Sequence, residues 1–202
     1  MRTVTVVLLG AMSIAMDVLP GCAQDCVQLH DTGADQVISY LNTVEPNPGN
    51  QECISFALSR LGTLRYEPAV SVLARWLDFR RPPTDREKQG LYLHAQTIDE
   101  IYPAASALEE LGQKALPEVL SVIRSDSSPK TARANAVFVW MEIYKSESPK
   151  GVTLLRQEAD RSGVPREKQN LQWAVTKAVG WCNPPDEALC RQAAGKPGER
   201  RN

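Results

Sequence analysis

The apolar residues of this chain recur at spacings of three and four. Val70, Leu73, Ala74 and Leu77 follow the i, i+3, i+4, i+7 pattern, and Ile54, Ala57, Leu58 and Leu61 line up in the same way. Such spacing places side chains on one face of an α-helix. Strand-like alternation is almost absent, so the pattern predicts an all-α fold.

The same phrase is written twice. ALSRLGTLRYEPAVSVLARWL (57–77) and ALEELGQKALPEVLSVI (107–123) share Ala-Leu, a Leu-Gly stop, a short connector, Pro and an apolar run. In the first, Gly62 is expected to end a helix that Asn50 caps, because glycine takes the left-handed conformation without a Cβ clash. Pro68 is expected to open the returning helix. In the second, Pro103 leads Ala104, Ala107, Leu108 and Leu111 to Gly112. Leu108, Leu111, Leu116 and Leu120 should then be buried, with Glu109, Glu110 and Glu118 facing water.

Further helices are expected on either side. Val37, Ile38, Leu41 and Val44 mark one that starts near Asp31 or Thr32. Ser128-Pro129 and Ser148-Pro149 read as capping hydroxyls followed by a proline in the first turn. The helices behind them carry Val137, Trp140, Met141 and Tyr144, then Val152, Leu155 and Ala159. A last helix after Gly163 carries Leu171, Ala174, Val175 and Ala178. Short loops between amphipathic helices predict antiparallel neighbours whose apolar faces bury one another.

Ala57, Leu58, Leu61, Gly62 and Pro68, then Ala107, Leu108, Leu111, Gly112 and Pro117, carry a pattern that resembles the HEAT repeat. The likeness is to the short HEAT-like units of phycobilisome-lyase-type proteins. Asp126 followed by Arg133-Ala134-Asn135-Ala136 is similar to that family's passage between units, and the resemblance covers most of 51–180. It implies a short α-α superhelix, a solenoid of stacked hairpins. The lyase-type members act on a chromophore; no motif here carries that activity over.

The N-terminus reads as a secretory signal peptide over residues 1–23. Arg2 is followed by the apolar run TVTVVLLGAMSIAM, then Pro20 and the small residues Gly21, Cys22 and Ala23. The run is shorter than the roughly 20 residues of a membrane span. Leu19-Pro20-Gly21-Cys22 also resembles a lipobox, so attachment to a membrane is expected only through lipid at Cys22. The remaining thiols, Cys26, Cys53, Cys182 and Cys190, fit an oxidising compartment outside the cytoplasm, periplasmic or extracellular. Four cysteines allow three connectivities. The expected pairs are Cys26 with Cys53 and Cys182 with Cys190, since Pro184 and Pro185 can turn CNPPDEALC back on itself. A competing reading puts Cys22, Cys26 and His30 on one helical face as metal ligands.

The folded region is expected over 24–190, followed by a disordered polar tail, 191–202. A formal net charge of −1 on 202 residues argues against general nucleic-acid binding. No phosphate loop, nucleophile elbow or two-histidine metal helix is present, and no cofactor or metal is expected. One segment departs from the hairpin pattern. FRRPPTDREKQGLYLHAQTIDEIY (79–102) mixes Arg80, Arg81 and Arg86 with Tyr92, His94 and Tyr102. Insertions between repeats project from an edge where binding residues often sit. Thr84-x-x-Glu87 and Thr97-x-x-Glu100 within it read as capping boxes. The expectation is a non-catalytic scaffold or protein-binding module whose partner is a protein or peptide. The rival is an enzyme, or an accessory subunit of one, with its site in this excursion. A deep pocket joining His94 to Arg80 or Arg81 and a carboxylate would favour the rival.

Overall fold

Every described segment with repeating secondary structure is helical, as the spacing predicts. The computed structural model describes residues 24–92 and 94–195, and among them there is no strand. The leader-like stretch 1–23, with Cys22, lies outside the described residues, as does 196–202. No described helix is long and apolar enough to cross a membrane.

The chain runs α1 Gln24–Asp31, α2 Ala34–Thr43, α3 Gln51–Thr63, α4 Val70–Arg75, α5 Asp85–Lys88 and α6 Ile98–Ile101. It continues with α7 Pro103–Leu111, α8 Leu116–Arg124, α9 Lys130–Ile143, α10 Ser148–Arg161, α11 Pro165–Val179 and α12 Glu187–Ala194. Helices α3, α7, α9 and α11 pack in succession, and α4 lies against α7 and α8. The core runs through that row. Ile54, Leu58, Leu61, Leu108, Ile123, Val137, Leu155 and Leu171 are shut off from solvent. Helix α9 is the most enclosed, with every residue from Asn135 to Met141 buried, as befits a helix apolar on nearly all sides.

Helix α8 touches α11 as well as α9. Asn170 of α11 donates its amide to the Arg124 carbonyl at the end of α8, 2.9 Å away, and its Oδ1 accepts from Arg133 of α9 at 2.8 Å. When hairpins are divided as the repeated phrase divides them, α8 and α11 are not neighbours. In a simple solenoid each repeat touches only the next. The C-terminal half therefore has the contacts of a helical cluster as well as those of a row.

Several ends differ from expectation. Gly33, not Asp31 or Thr32, precedes α2. Asn50 does stand at the N-cap of α3, but its side chain bonds Asn47 and Glu45 of the preceding turn. Pro68 sits in a short 3-10 turn, Glu67–Ala69, and α4 follows it. Pro129 itself caps α9, and Ser148 lies inside α10, where its hydroxyl donates to the Lys145 carbonyl. Gly62 is a residue of α3 rather than its stop. Leu108 and Leu111 are buried and Glu110 is exposed as expected, but Leu116, Leu120, Glu109 and Glu118 are half-buried. Helix α8 rests on Val119 and Ile123, a face turned by about 60° from the Leu116–Leu120 stripe, which leaves those two leucines at its edge. At the far end α12 continues to Ala194, so 191–194 of the expected tail is helical.

Both expected cysteine pairs form. Cys26 of α1 joins Cys53 of α3 with Cα atoms 5.0 Å apart, and Cys182 joins Cys190 of α12 across 6.6 Å. Each terminal helix is also held by an arginine at its carbonyl end. Arg60 of α3 donates to the carbonyls of Leu29, His30 and Thr32 where α1 stops. Arg156 of α10 donates to the Ala193 carbonyl of α12 at 3.1 Å. A cation there satisfies orphan carbonyls and complements the helix dipole.

Candidate functional site

The excursion 79–102 is closed at its base and stiffened within. Arg81 N–H donates to the Ile101 carbonyl at 3.0 Å, so the ends of the segment meet. The Arg81 guanidinium grips both oxygens of Glu87 at 2.8 and 2.6 Å and also donates to the carbonyls of Pro82 and Glu100. Gln96 donates to Glu87 from the other side. Arg81 beside it, then the Thr84 N–H, hold the Glu87 carboxyl at about 2, well below the ordinary carboxylate range. A bidentate pair of this kind adds geometric specificity to its energy.

Both capping boxes form at the expected positions. Glu87 accepts from Thr84 N–H at 2.6 Å while Thr84 Oγ1 accepts from Glu87 N–H at 3.3 Å. Glu100 accepts from Thr97 N–H at 3.0 Å.

The six residues singled out in the sequence fall into two groups. Arg81 holds the excursion together, and Tyr102 packs against the core where α7 begins. Arg80, Arg86, Tyr92 and His94 are exposed. His94 Nε2 stands 3.4 Å from a Glu100 oxygen, the residue whose backbone carbonyl Arg81 holds. Two open clefts occur elsewhere. One, of about 440 Å³, lies over Gly62 and Ala107 beside the Arg65–Glu110 pair. The other, of about 530 Å³, lies between Arg124 and Arg166. Neither includes His94, Arg80 or Arg81.

Leu91 is not among the candidate residues of the sequence. It is 59% exposed beside Tyr92 at 58%. Its signal in the sequence was Gly90, a stop four residues into a capped helix, followed directly by an unshielded leucine.

Glu109 is not the solvated carboxylate its doublet with Glu110 suggested. Burial, followed by the nearby charges of Glu142 and Asp99, raises its carboxyl above the usual range. The reading of Cys22, Cys26 and His30 as metal ligands is overturned at Cys26, whose sulfur is bonded to Cys53 and has no thiolate to offer. His30 instead lies against Phe56, ring centroids 4.0 Å apart. Among the described residues no group of three or more His, Cys, Asp or Glu could hold a metal ion.

No protein-family model matches the chain, and no curated protein or solved structure matches it.

Proposed function

We propose that the protein is an exported, non-catalytic module, a short stack of HEAT-like hairpins that presents a fixed surface to a protein or peptide partner. The observation that carries this reading is the excursion at 79–102. Arg81, Glu87 and Gln96 lock it from within, while Arg80, Arg86, Tyr92 and His94 stand in water. A surface ordered before its partner arrives loses less freedom on binding. The two disulfides support export, because such bonds persist outside reducing compartments.

The meeting of Arg81 with Ile101 makes a direct test practical. A four-residue Gly/Ser turn in place of 83–99 should leave the helical core folded. Wild-type chain used as bait on the envelope fraction of its native host should retain a discrete partner that the excised variant releases. Equal recovery by both would sink the reading. Intact mass decides the export half: a chain starting at Gln24, or one lipidated at Cys22, supports it, and a cytosolic chain retaining Met1 refutes it.

A further inference from the structure

Helix α5 is a single turn, far too short to be stable by itself, yet both its ends are satisfied by its own residues. The Thr84–Glu87 box closes the front. At the back, Gly90 takes φ +72°, Gly90 N–H donates to the Glu87 carbonyl at 2.9 Å, and Leu91 N–H donates to the Arg86 carbonyl at 2.9 Å. Those paired bonds are the Schellman stop. That motif normally seats its trailing apolar residue on another apolar side chain one turn back. Here the residue one turn back is Arg86, itself exposed, and Leu91 is left 59% exposed with Tyr92 at 58% beside it. A rigid mount thus holds two large side chains with little to cover them.

Cations and carboxylates both surround the mount, and two of the cations are left over. Arg81 is paired with Glu87, and Lys88 with Asp85 at 3.0 Å. Arg80 and Arg86 are left without an ion pair among the described residues. Tyrosine and arginine are the residue types that most often anchor interfaces, and a rigid aromatic gives large contact area at small entropic cost.

We infer that Leu91 and Tyr92 form a docking knob that seats in an apolar pocket of a protein partner whose rim carries Asp and Glu opposite Arg80 and Arg86. The inference rests on the module reading and specifies the surface and the chemistry of the partner.

The test uses the full chain in its native host with the photocrosslinker p-benzoylphenylalanine in place of Tyr92. The control carries it in place of Gln172, an exposed residue of α11. The knob should yield one discrete adduct that the control lacks. The attached partner peptide should come from an apolar pocket bordered by carboxylates. Adding Arg80→Glu and Arg86→Glu should lower the yield roughly tenfold, as should high salt, because rim charges act through screened attraction. Both arginines are exposed, so the melting temperature should stay put and separate lost docking from lost folding. No adduct above control, an adduct indifferent to both charge reversals, or one at twice the chain's mass would overturn the inference. If the wild-type bait still retains its partner in such a case, the module reading survives and the knob does not. If it retains nothing, both fall.

Discussion

Gly62 and Gly112 occupy the same place in the repeated phrase and answer opposite physical demands. Gly62 sits inside α3 in ordinary helical geometry. A Cβ built there would stand 2.5 Å from the Cα of Ala107 and 2.8 Å from its Cβ. Its missing side chain lets two helices touch. Gly112 has no heavy atom within 4 Å of such a Cβ, but its φ is +60°. Its missing side chain lets the backbone turn. The turn that Gly62 does not make falls three residues later, at Arg65, the described non-glycine residue with positive φ, 47°. Arg65 N–H reaches the Gly62 carbonyl at 2.8 Å and Tyr66 N–H reaches that of Leu61 at 3.3 Å, closing α3. The first phrase gives its glycine to packing, and an arginine takes the strained position. One motif does not imply one role.

The largest expected effects test what the phrases share. Leu61 and Leu111 are both buried, so Leu61→Ala and Leu111→Ala should each cost about 2–5 kcal/mol in denaturant melts through lost burial and an unfilled cavity. A small effect at either would remove that position from the common core.

A size series separates the two glycines. Gly62→Ala should cost about 1–3 kcal/mol, because the obstruction is backbone that must move. Gly62→Val should cost more. Gly112→Ala should cost about 1–3 kcal/mol from strained φ alone, and a larger side chain in the open space should add little. D-Alanine introduced by chemical ligation should rescue position 112 and not position 62. Matching size dependence at both would collapse the distinction.

Acid addresses the segment between the phrases. The Glu87 carboxyl is depressed from 4.5 to about 2, so its contribution is complete above the unfolded value and lost as pH falls through the folded one. Between about pH 4.5 and pH 2, amide protection relative to the intrinsic rate at each pH should fall first across 84–92 and 94–96 while α3 and α7 stay protected. Simultaneous release of all three would tie the excursion to the core.

The smallest effect concerns Arg65. Arg65→Gly should raise stability by about 1 kcal/mol or less, since relief of the left-handed strain is partly offset by losing an ion pair to Glu110 that is 72% and 51% exposed. Glu110→Ala should change stability by less than about 0.5 kcal/mol. A loss at Arg65→Gly larger than that at Glu110→Ala would show that the arginine makes more than this pair.

What could be read from the sequence follows the range of the interaction. Helical spacing, the Thr84 and Thr97 boxes and the turn between Cys182 and Cys190 are local, and all appear where expected. The role of Gly62 depends on Ala107, 45 positions away, passing directly over it. The use of Arg81 depends on which of several nearby carboxylates it meets; Glu87 took it out of the exposed set. Arg60 reached its three carbonyls across about 30 positions with no sequence mark at all. The exposed pair is half visible there: Tyr92 is among the candidate residues, and Leu91, beside a glycine stop, is not.

The staples on α1 and α12 bear on where the molecule first comes apart. A helix at the edge of a fold ordinarily frays first, because fewer contacts hold it. Here each outermost helix is tied by a disulfide, loops worth about 3.5 and about 2.5 kcal/mol in the chain-entropy picture for separations of 27 and 8 residues. Each is also pinned by an arginine at its carbonyl end. With α1 and α12 tied down, opening of the described fold is expected to begin between them. Proteolysis of the described residues is then expected to start in the connections between helices and not at α1 or α12.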